Sequence, residues 1–193
     1  MGSVRCFFCL PLSLELEKEL AAWIDANRAE AGQLRWVSRA NLHITLRFCG
    51  EIPTAQAKDL SARVKRLLVE APAAPFTLNL RGLGVYGAPP RVLWAGLGGD
   101  LGALGKVHEL IERACRDAGV AEDTKKFSPH ITLARMNAVR TKDFGGLERL
   151  APWKLNGLAW RAGTVVFMRS HLTESGPRYY PMAKYALEAG TES

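Results

Sequence analysis

The chain of 193 residues is 48% hydrophobic and 23% charged, with a formal net charge of +7 and a pI of about 9.5. This composition is typical of a globular protein with a buried core, and no apolar run approaches the roughly 20 residues of a transmembrane helix. The opening residues run into acidic ones and do not resemble a signal peptide, so we expect a cytoplasmic protein with no membrane partner. The basic charge favours a polyanionic partner such as nucleic acid, although a solvated basic surface accounts for it equally well.

Hydrophobic periodicity divides the chain into strands and helices. Helices are predicted at residues 13–29, with Ser13 as N-cap, at 54–70, with Thr54 as N-cap, at 100–118, and in a short segment at 140–150. Strands are predicted at residues 4–12, 36–37, 42–48, 76–83, 92–97, 128–136, 163–169 and 182–187. No linker or low-complexity tract divides the chain. The order of elements predicts an α+β fold with mostly antiparallel sheets.

The four cysteines form no recognisable metal or disulfide pattern. Cys6 and Cys9 have the C-x-x-C spacing, but no second pair of ligands follows, and a structural zinc site needs four. Because residues 4–12 read as a buried strand, we expect Cys6, Cys9, Cys49 and Cys115 to be buried thiols in a reducing compartment.

Two further patterns resemble functional motifs without the structure that those motifs need. The letters GLGVYG at residues 82–87 match G-x-G-x-x-G, but two prolines and an apolar strand follow where a helix should begin, so we interpret the glycines as hairpin turn residues. His171 begins a His-x-Thr at the mouth of a turn, and we expect a surface residue. His108 lies within a predicted helix, where we expect no chemistry.

The tetrapeptide His-Ile-Thr-Leu occurs twice, at residues 43–46 and 130–133, in a chain with only 4 histidines. On a strand, residues i and i+2 point to the same face, so His43 projects with Thr45, and His130 with Thr132. Two imidazoles can act as paired general acid and base near neutral pH, and two hydroxyls can bind anionic oxygens, which suits a phosphodiester.

Metal binding and simple core packing are the alternatives to this catalytic hypothesis. No acidic residue or cysteine near either motif completes a metal ligand set, so a metal-free site is favoured. One such motif would be unremarkable in a core strand. Two identical copies, each followed closely by a basic residue (Arg47 and Arg135), favour function.

With the two motifs in their surrounding sequence, the chain resembles the two-histidine phosphoesterases. Within them it resembles the RNA 2′,3′-cyclic phosphodiesterase family, also described as 2′-5′ RNA ligase-like. The resemblance covers nearly the whole chain. It rests on the segments RCFFCLPL, LRWVSRANLHITLRFCGE, RVLWAGL, KKFSPHITLAR and GPRYYPMAKYAL.

The resemblance implies a single two-lobed domain over residues 1–193, with one HxTx motif per lobe. Two mostly antiparallel sheets with flanking helices would be related by a pseudo-twofold axis around a basic cleft, and hydrolysis would need no metal or other cofactor. The implied substrate is an RNA end bearing a 2′,3′-cyclic phosphate, opened by water to a 2′-phosphate. Nothing in the sequence requires more than a monomer.

The resemblance also implies roles for individual residues. His43 would be the proton donor to the departing 3′ oxygen, and His130 the proton acceptor that activates water. Thr45, Thr132 and Arg135 would bind the phosphate. Further candidates for contacts with the RNA or its terminal base are Arg47, Phe48 and Phe127, with Tyr86 and Trp36 as additional candidates for stacking.

Other activities on the same site stay open at this point. They are hydrolysis of a small cyclic nucleotide, such as a cyclic phosphate of ADP-ribose, and reversible 2′-5′ RNA ligation. A non-catalytic RNA-binding module belongs to a different class, but binding alone does not need two titrating groups.

Overall fold

The first strand shows how the sheet separates two faces of the molecule. In the computed structural model, which describes residues 2–28, 31, 34–136, 149–174 and 176–190, alternate side chains of this strand are buried on opposite sides. Cys6, Phe8 and Leu10 belong to the main core, whereas Phe7 and Cys9 belong to a small second cluster. The main core lies between the sheet and the helices, and the opposite face is left to carry the site.

The described residues form nine strands and three α-helices. The strands are β1 (Ser3–Pro11), β2 (Arg35–Trp36), β3 (His43–Pro53), β4 (Phe76–Tyr86), β5 (Val92–Gly99), β6 (Ile131–Arg135), β7 (Ala159–Ala162), β8 (Thr164–Thr173) and β9 (Gly176–Ala186). The helices are α1 (Leu14–Asn27), α2 (Thr54–Glu70) and α3 (Leu101–Asp117). Among the described residues, no helix is long and apolar enough to cross a membrane.

The strands pair in the order β7-β4-β5-β6-β3-β1-β8-β9, and β2 also pairs with β6. Every pairing of these strands is antiparallel, which confirms the predicted α+β class. The two predicted sheets are joined into one, because β3 and β6 meet at a single residue pair, Ile44 and Ile131. Four strands of this order lie on each side of the junction. In one half α1 lies between β1 and β3 along the chain, and in the other half α3 lies between β5 and β6. This arrangement is consistent with the expected pseudo-twofold relation.

The first motif strand contains a bulge directly after the threonine. Thr45 lies opposite Cys9 of β1, but the next pair is Arg47 with Phe8, so Leu46 is the extra residue. A bulge inserts one extra residue and reverses the alternation of faces beyond it. As a result, Arg47 turns towards the core, where it is 4% exposed, instead of continuing the face that carries Thr45.

The second motif strand has its bulge at the equivalent place. Thr132 lies opposite Trp94 of β5, and the next pair is Ala134 with Leu93, so Leu133 is the extra residue. Ala134 is therefore buried, and the residue after it, Arg135, returns to the motif face opposite Val92. The residues that correspond in the two halves are thus Arg47 with Ala134 and Phe48 with Arg135.

The helix boundaries agree closely with the sequence, but one predicted cap is wrong. The hydroxyl of Ser13 accepts a hydrogen bond from the backbone N–H of Leu16 at 3.2 Å, as expected of an N-cap. Thr54 is instead the first residue of α2, and its hydroxyl donates to the carbonyl of Gly2 at 2.9 Å. Pro53 occupies the N-cap position, because the chain leaves β3 directly into the helix.

Several strand predictions need correction. β7 is absent from the predicted strands, because only two of its four side chains, Trp160 and Ala162, are buried and its pattern is too short to recognise. The strand predicted at 128–136 begins only at Ile131, since Pro129 has no backbone N–H to pair. β9 is longer than the predicted 182–187. The helix predicted at 140–150 lies almost entirely outside the described residues.

The glycines of the GLGVYG segment lie mostly in a strand, not in a turn as predicted. Gly82 and Gly84 belong to β4, and only Gly87 lies beyond its end. A β-carbon on Gly84 would come within 2.1 Å of the indole ring of Trp94, which lies opposite it. Gly84 is therefore needed for close packing beneath the Trp94 ring, and these glycines do not open a helix as a nucleotide loop would.

Replacement of Gly84 by alanine is expected to destabilise the protein by about 1–3 kcal/mol, because the rigid Trp94 ring must move to admit a methyl group. Gly105 of α3 is the matched control, since nothing lies within 4 Å of the point where its β-carbon would stand. Gly105→Ala should stabilise by about 0.5–1 kcal/mol through the lower entropy of the unfolded chain. Denaturant unfolding of both variants measures this difference, and equal effects would contradict the packing described.

Candidate active site

The two motifs are brought together by the pairing of β3 with β6. Ile44 and Ile131 are directly opposite and fully buried, so their side chains fix one face of the junction in the core. The antiparallel register that continues from this pair places His43 level with Thr132, and His130 level with Thr45. These four side chains alternate with the two isoleucines and therefore share the opposite face of the sheet, which is the cleft face. The structure thus brings together the four residues that the repeated tetrapeptide singled out.

The ring of His43 is held at both nitrogens. Its Nδ1 lies 2.8 Å from the carbonyl oxygen of Asn41, and its Nε2 lies 3.0 Å from the hydroxyl of Thr45. Because a carbonyl can only accept, Nδ1 carries the proton, and in the neutral ring Nε2 accepts from the hydroxyl. The rings of Phe7 and Tyr179 pack against the imidazole at 5.0 and 5.5 Å between centroids. His43 is therefore fixed in one orientation.

The ring of His130 is anchored at Nδ1 by its own half of the sheet. Its Nδ1 lies 2.8 Å from the carbonyl oxygen of Ser128, which again places the proton of the neutral ring on Nδ1 and leaves Nε2 unprotonated. Tyr86 packs edge-on against the ring at 5.1 Å, and Trp94 lies 6.3 Å away. The hydroxyl of Tyr86 is in turn 2.8 Å from the hydroxyl of Ser128. The residue two positions before each histidine thus sets the orientation of its ring.

Both imidazoles are poor proton acceptors in the free protein. The pKa of His43 is lowered to about 4, mainly by burial, with smaller contributions from the positive charges of Arg135 and of a protonated His130, and against the opposing effect of the hydrogen bond to Asn41. Burial also lowers the pKa of His130, with a further contribution from Arg135. Both rings are therefore neutral at pH 7 in the absence of a ligand.

Arg135 provides positive charge to the site. Its side chain is exposed at the end of β6, and its charge contributes to the lowered pKa of His43 and of His130. Burial raises the pKa of the Tyr179 phenol, and the charge of Arg135 partly offsets that rise. An arginine that influences all three groups lies close to the space between the two motifs. An anion in that space would meet two threonine hydroxyls, two imidazoles and one guanidinium.

A model of the 2′-5′ RNA ligase superfamily matches residues 16–173 of the chain. The chain belongs to this superfamily. Three similar proteins carry the name RNA 2′,3′-cyclic phosphodiesterase. That of Aeropyrum pernix is 37% identical over 109 residues, 55% of this chain and 60% of its own length. That of Geobacillus stearothermophilus is 32% identical over 188 residues, 94% and 56% of the two lengths. That of Thermus thermophilus is 32% identical over 198 residues, 95% and 90% of the two lengths.

Solved structures of similar proteins have the same fold. A Thermus thermophilus protein aligns with a TM-score of 0.78 at 30% identity, over 95% of this chain and 97% of the other. Escherichia coli LigT in complex with 3′-AMP aligns with a TM-score of 0.78 at 26% identity, over 96% of this chain and 99% of the other. The chain matches less than two thirds of the length of the Aeropyrum pernix and Geobacillus stearothermophilus relatives, 60% and 56%.

Arg47 does not lie on the cleft face, contrary to the expectation that it contacts RNA. Its guanidinium is 2.6 Å from Glu112 of α3, donates to the carbonyl of Ala121 at 2.5 Å and also donates to the carbonyl of Phe48. The bulge at Leu46 directs it there. Arg47 therefore ties β3 to α3 and to the segment that leads to the second motif, and the basic residues behind the two motifs are not equivalent.

Of the aromatic candidates, Phe48 and Tyr86 lie on the side of the two motif histidines. Phe127 and Trp36 pack elsewhere. Phe48, 47% exposed, lies 5.5 Å from Phe7 and thus beside the wall of His43, and Tyr86 contacts His130. Phe127 stacks on His108 with ring centroids 3.8 Å apart.

Trp36 packs against Trp23 of α1 and donates to the carbonyl of Ala31 at 3.3 Å, so it belongs to the core side and not to the cleft. His108 is partly buried, as predicted for a helix residue, and its Nδ1 is 3.1 Å from the carbonyl of Leu46. His171 is exposed near the end of β8, which agrees with the predicted surface position, although it still belongs to a strand.

Sequence reasoning missed Asn41, Ser128, Trp94 and Tyr179. Asn41 and Ser128 act through backbone carbonyls, which any residue type supplies, so only their shared position two residues before a histidine could have identified them. Tyr179 reaches His43 from β9, more than a hundred residues away, and no local pattern records that contact.

The cysteines do not form a ligand set. Cys6 and Cys9 belong to clusters on opposite faces of β1, and all four cysteines are free and buried. Within the described ranges, no three histidine, cysteine or acidic side chains converge as a metal site requires.

Replacing Arg135 with glutamine is expected to raise the pKa of both His43 and His130, because a positive charge that opposes their protonation is removed. The histidine ring signals in an NMR titration measure both values. Arg161→Gln in β7, three strands from β6, removes the same charge at a distance and should leave both titrations unchanged. Unchanged pKa values in Arg135→Gln would place Arg135 outside the site.

Proposed function

We propose that this protein hydrolyses the 2′,3′-cyclic phosphate at the end of an RNA chain to a 2′-phosphate, without a metal ion. The observation that carries the proposal is the matched mounting of two imidazoles, each anchored at Nδ1 to a backbone carbonyl and each with Nε2 directed away from that anchor for proton transfer. Each imidazole is level with the threonine of the other motif. Two imidazoles in this arrangement suit a reaction at phosphorus in which one oxygen displaces another in line. The named activity of the similar proteins supports the same reaction.

In the proposed reaction, His130 is the base and His43 the acid. Nε2 of His130 takes a proton from water, and the water oxygen forms a bond to phosphorus as the bond to the 3′ oxygen breaks. Nε2–H of His43 gives its proton to that oxygen, which leaves a 3′ hydroxyl and a 2′-phosphate. The surroundings support this assignment, since His130 follows the exposed Ser128, whereas His43 is enclosed by Phe7 and Tyr179.

His43 must gain a proton before it can act as an acid. Its pKa of about 4 in the free protein reflects burial without a compensating anion. A phosphodiester bound between the motifs brings a negative charge next to the ring and raises this pKa. The Thr45 hydroxyl, which bonds to Nε2 in the free protein, would then turn to a phosphoryl oxygen. Substrate binding thereby converts His43 from a hydrogen-bond acceptor into a proton donor.

Thr45, Thr132 and Arg135 would stabilise the charge on the phosphoryl oxygens. Hydroxyl and guanidinium donors that are already in place cost little reorganisation when negative charge accumulates in the transition state. These three groups supply the electrostatic role that a metal ion plays in other phosphoesterases. We propose a single two-lobed cytoplasmic domain that acts as a monomer on RNA ends.

The decisive experiment follows a short RNA ending in a 2′,3′-cyclic phosphate in the presence of EDTA. The wild type should form the 2′-phosphate, and His43→Ala and His130→Ala should each lower kcat by about 10²–10⁴-fold, the usual contribution of a general acid or base. His171→Ala is the matched control, since it changes the other His-x-Thr histidine and should leave kcat unchanged. Loss of activity with EDTA, or a 3′-phosphate product, would contradict the proposed reaction. Turnover of small cyclic nucleotides alone would favour that alternative.

The dependence of rate on pH provides a separate test. Because the pKa of both histidines is lowered in the free enzyme, the profile of kcat/KM should have its maximum below pH 6.5. The profile of kcat reports the substrate complex, in which the bound phosphate raises the pKa of His43. Its alkaline limb should therefore lie at higher pH than that of kcat/KM. Coinciding alkaline limbs would show that substrate does not protonate His43.

A further inference from the structure

Arg35 lies directly opposite Arg135 in the pairing of β2 with β6. Residues directly opposite on antiparallel strands project on the same face with their β-carbons about 5 Å apart. The neighbouring pair, Trp36 with Ala134, faces the core, so the two arginines face the cleft. Both are exposed at the end of the strand that carries Thr132. The cleft therefore contains two adjacent guanidinium-bearing positions, not one.

This pair of like charges has no acidic partner within the described part of the chain. The arginines that do form ion pairs there are Arg28, Arg39, Arg47, Arg63, Arg66 and Arg113. Like charges directly opposite each other across strands destabilise a sheet. A bound anion would remove this repulsion and accept hydrogen bonds from both guanidinium groups.

Arg35 is mounted on a well-anchored strand. The next residue, Trp36, packs edge-on against Trp23 of α1 with ring centroids 6.1 Å apart. The backbone N–H of Val37 donates to the carbonyl of Leu133 at 2.8 Å, which continues the pairing with β6. The position of Arg35 relative to Arg135 is thus fixed by the core and by the sheet.

The position of Arg35 and Arg135 relative to the reacting phosphate indicates which further group of the substrate they would bind. One edge of β6 is fully paired with β5, so β2 and β3 must share the other edge. The nucleoside whose 3′ oxygen meets His43 lies on the β3 side, which is therefore also the side of Arg35. From Thr132 to Arg135 is roughly 10 Å along the strand. A guanidinium at this distance can meet a second phosphate of the substrate, and the phosphate on the 5′ oxygen of the same nucleoside is the one nearest to the reacting group.

We propose that Arg35 and Arg135 form a second phosphate subsite, which binds the phosphate on the 5′ side of the terminal nucleotide. The inference rests on the proposed function and deepens it. Arg135 lies between the two phosphates, and Arg35 contacts only the second. The enzyme therefore prefers the end of an RNA chain, or a nucleotide with a 5′-phosphate, to a nucleoside 2′,3′-cyclic phosphate that lacks one.

The test compares adenosine 2′,3′-cyclic phosphate with and without a 5′-phosphate, together with a dinucleotide that ends in the same cyclic phosphate. The wild type should show higher kcat/KM on both substrates that carry the second phosphate. Arg35→Gln should reduce these two values by about tenfold, the effect of losing one charge-assisted hydrogen bond at an exposed site. It should leave hydrolysis of the substrate without a 5′-phosphate unchanged.

Controls separate a binding role from a structural one. Arg161→Gln makes the same change of net charge in β7 and should preserve the preference of the wild type. Arg35→Lys should restore part of the preference, because it restores the charge. The melting temperature of Arg35→Gln should equal or exceed that of the wild type, since like-charge repulsion is relieved. With the dinucleotide, kcat/KM should fall less steeply with added salt in Arg35→Gln than in the wild type, because one phosphate contact is lost.

The possible results are distinct from one another. An equal loss on all three substrates would overturn the second subsite and place Arg35 at the reacting phosphate or in a structural role. An unchanged preference in Arg35→Gln would also overturn it. Activity that responds to the dinucleotide but not to the 5′-phosphate would assign the preference to the neighbouring nucleoside instead. If the wild type hydrolysed none of the three, the proposed reaction itself would fail.

Discussion

The single backbone pair between Ile44 and Ile131 is the contact on which the site depends. It joins the two halves of the sheet, and within the described strands it is the only register point that relates the first motif to the second. Because both isoleucines are fully buried, the core determines where the histidines stand on the other face. The rest of each motif follows from strand geometry, since a fixed isoleucine fixes the residues on both sides of it. A hydrophobic contact thus sets the spacing of polar groups on the opposite face of the sheet.

The same core placement controls the protonation of the histidines. An imidazole held against Phe7 and Tyr179 loses hydration of its charged form, and burial accordingly makes the largest contribution to the lowered pKa of His43. The backbone carbonyls of Asn41 and Ser128 work in the opposite direction on their two rings, but their main effect is on the tautomer. Each carbonyl keeps the proton on Nδ1 and leaves Nε2 facing the cleft. Burial sets how readily each ring is protonated, and the carbonyl sets which nitrogen stays free to accept a proton.

Much of this arrangement could be predicted from the sequence, because its causes are local. Periodicity identified the three α-helices of the described residues to within a few positions, and two-residue alternation placed each motif histidine with its threonine on one face. Arg47 shows where such reasoning stops, because a one-residue bulge at Leu46 cancels the alternation without any sign in the letters HITLRF. The pairing of strands that are far apart in the sequence is likewise not recorded in any single segment. Arg35 stands opposite Arg135 only because β2 adds to the end of β6, far along the chain.

The bulges also account for how a nearly repeated motif would support the asymmetric reaction proposed for this site. Identical tetrapeptides give no means of distinguishing an acid from a base. Beyond each bulge, however, the residue that returns to the cleft face is Phe48 in one half and Arg135 in the other. An aromatic surface on the His43 side suits a nucleoside, and a guanidinium at the end of β6 suits phosphate. The two halves share a backbone, and the residue that follows each bulge on the cleft face makes their chemistry different.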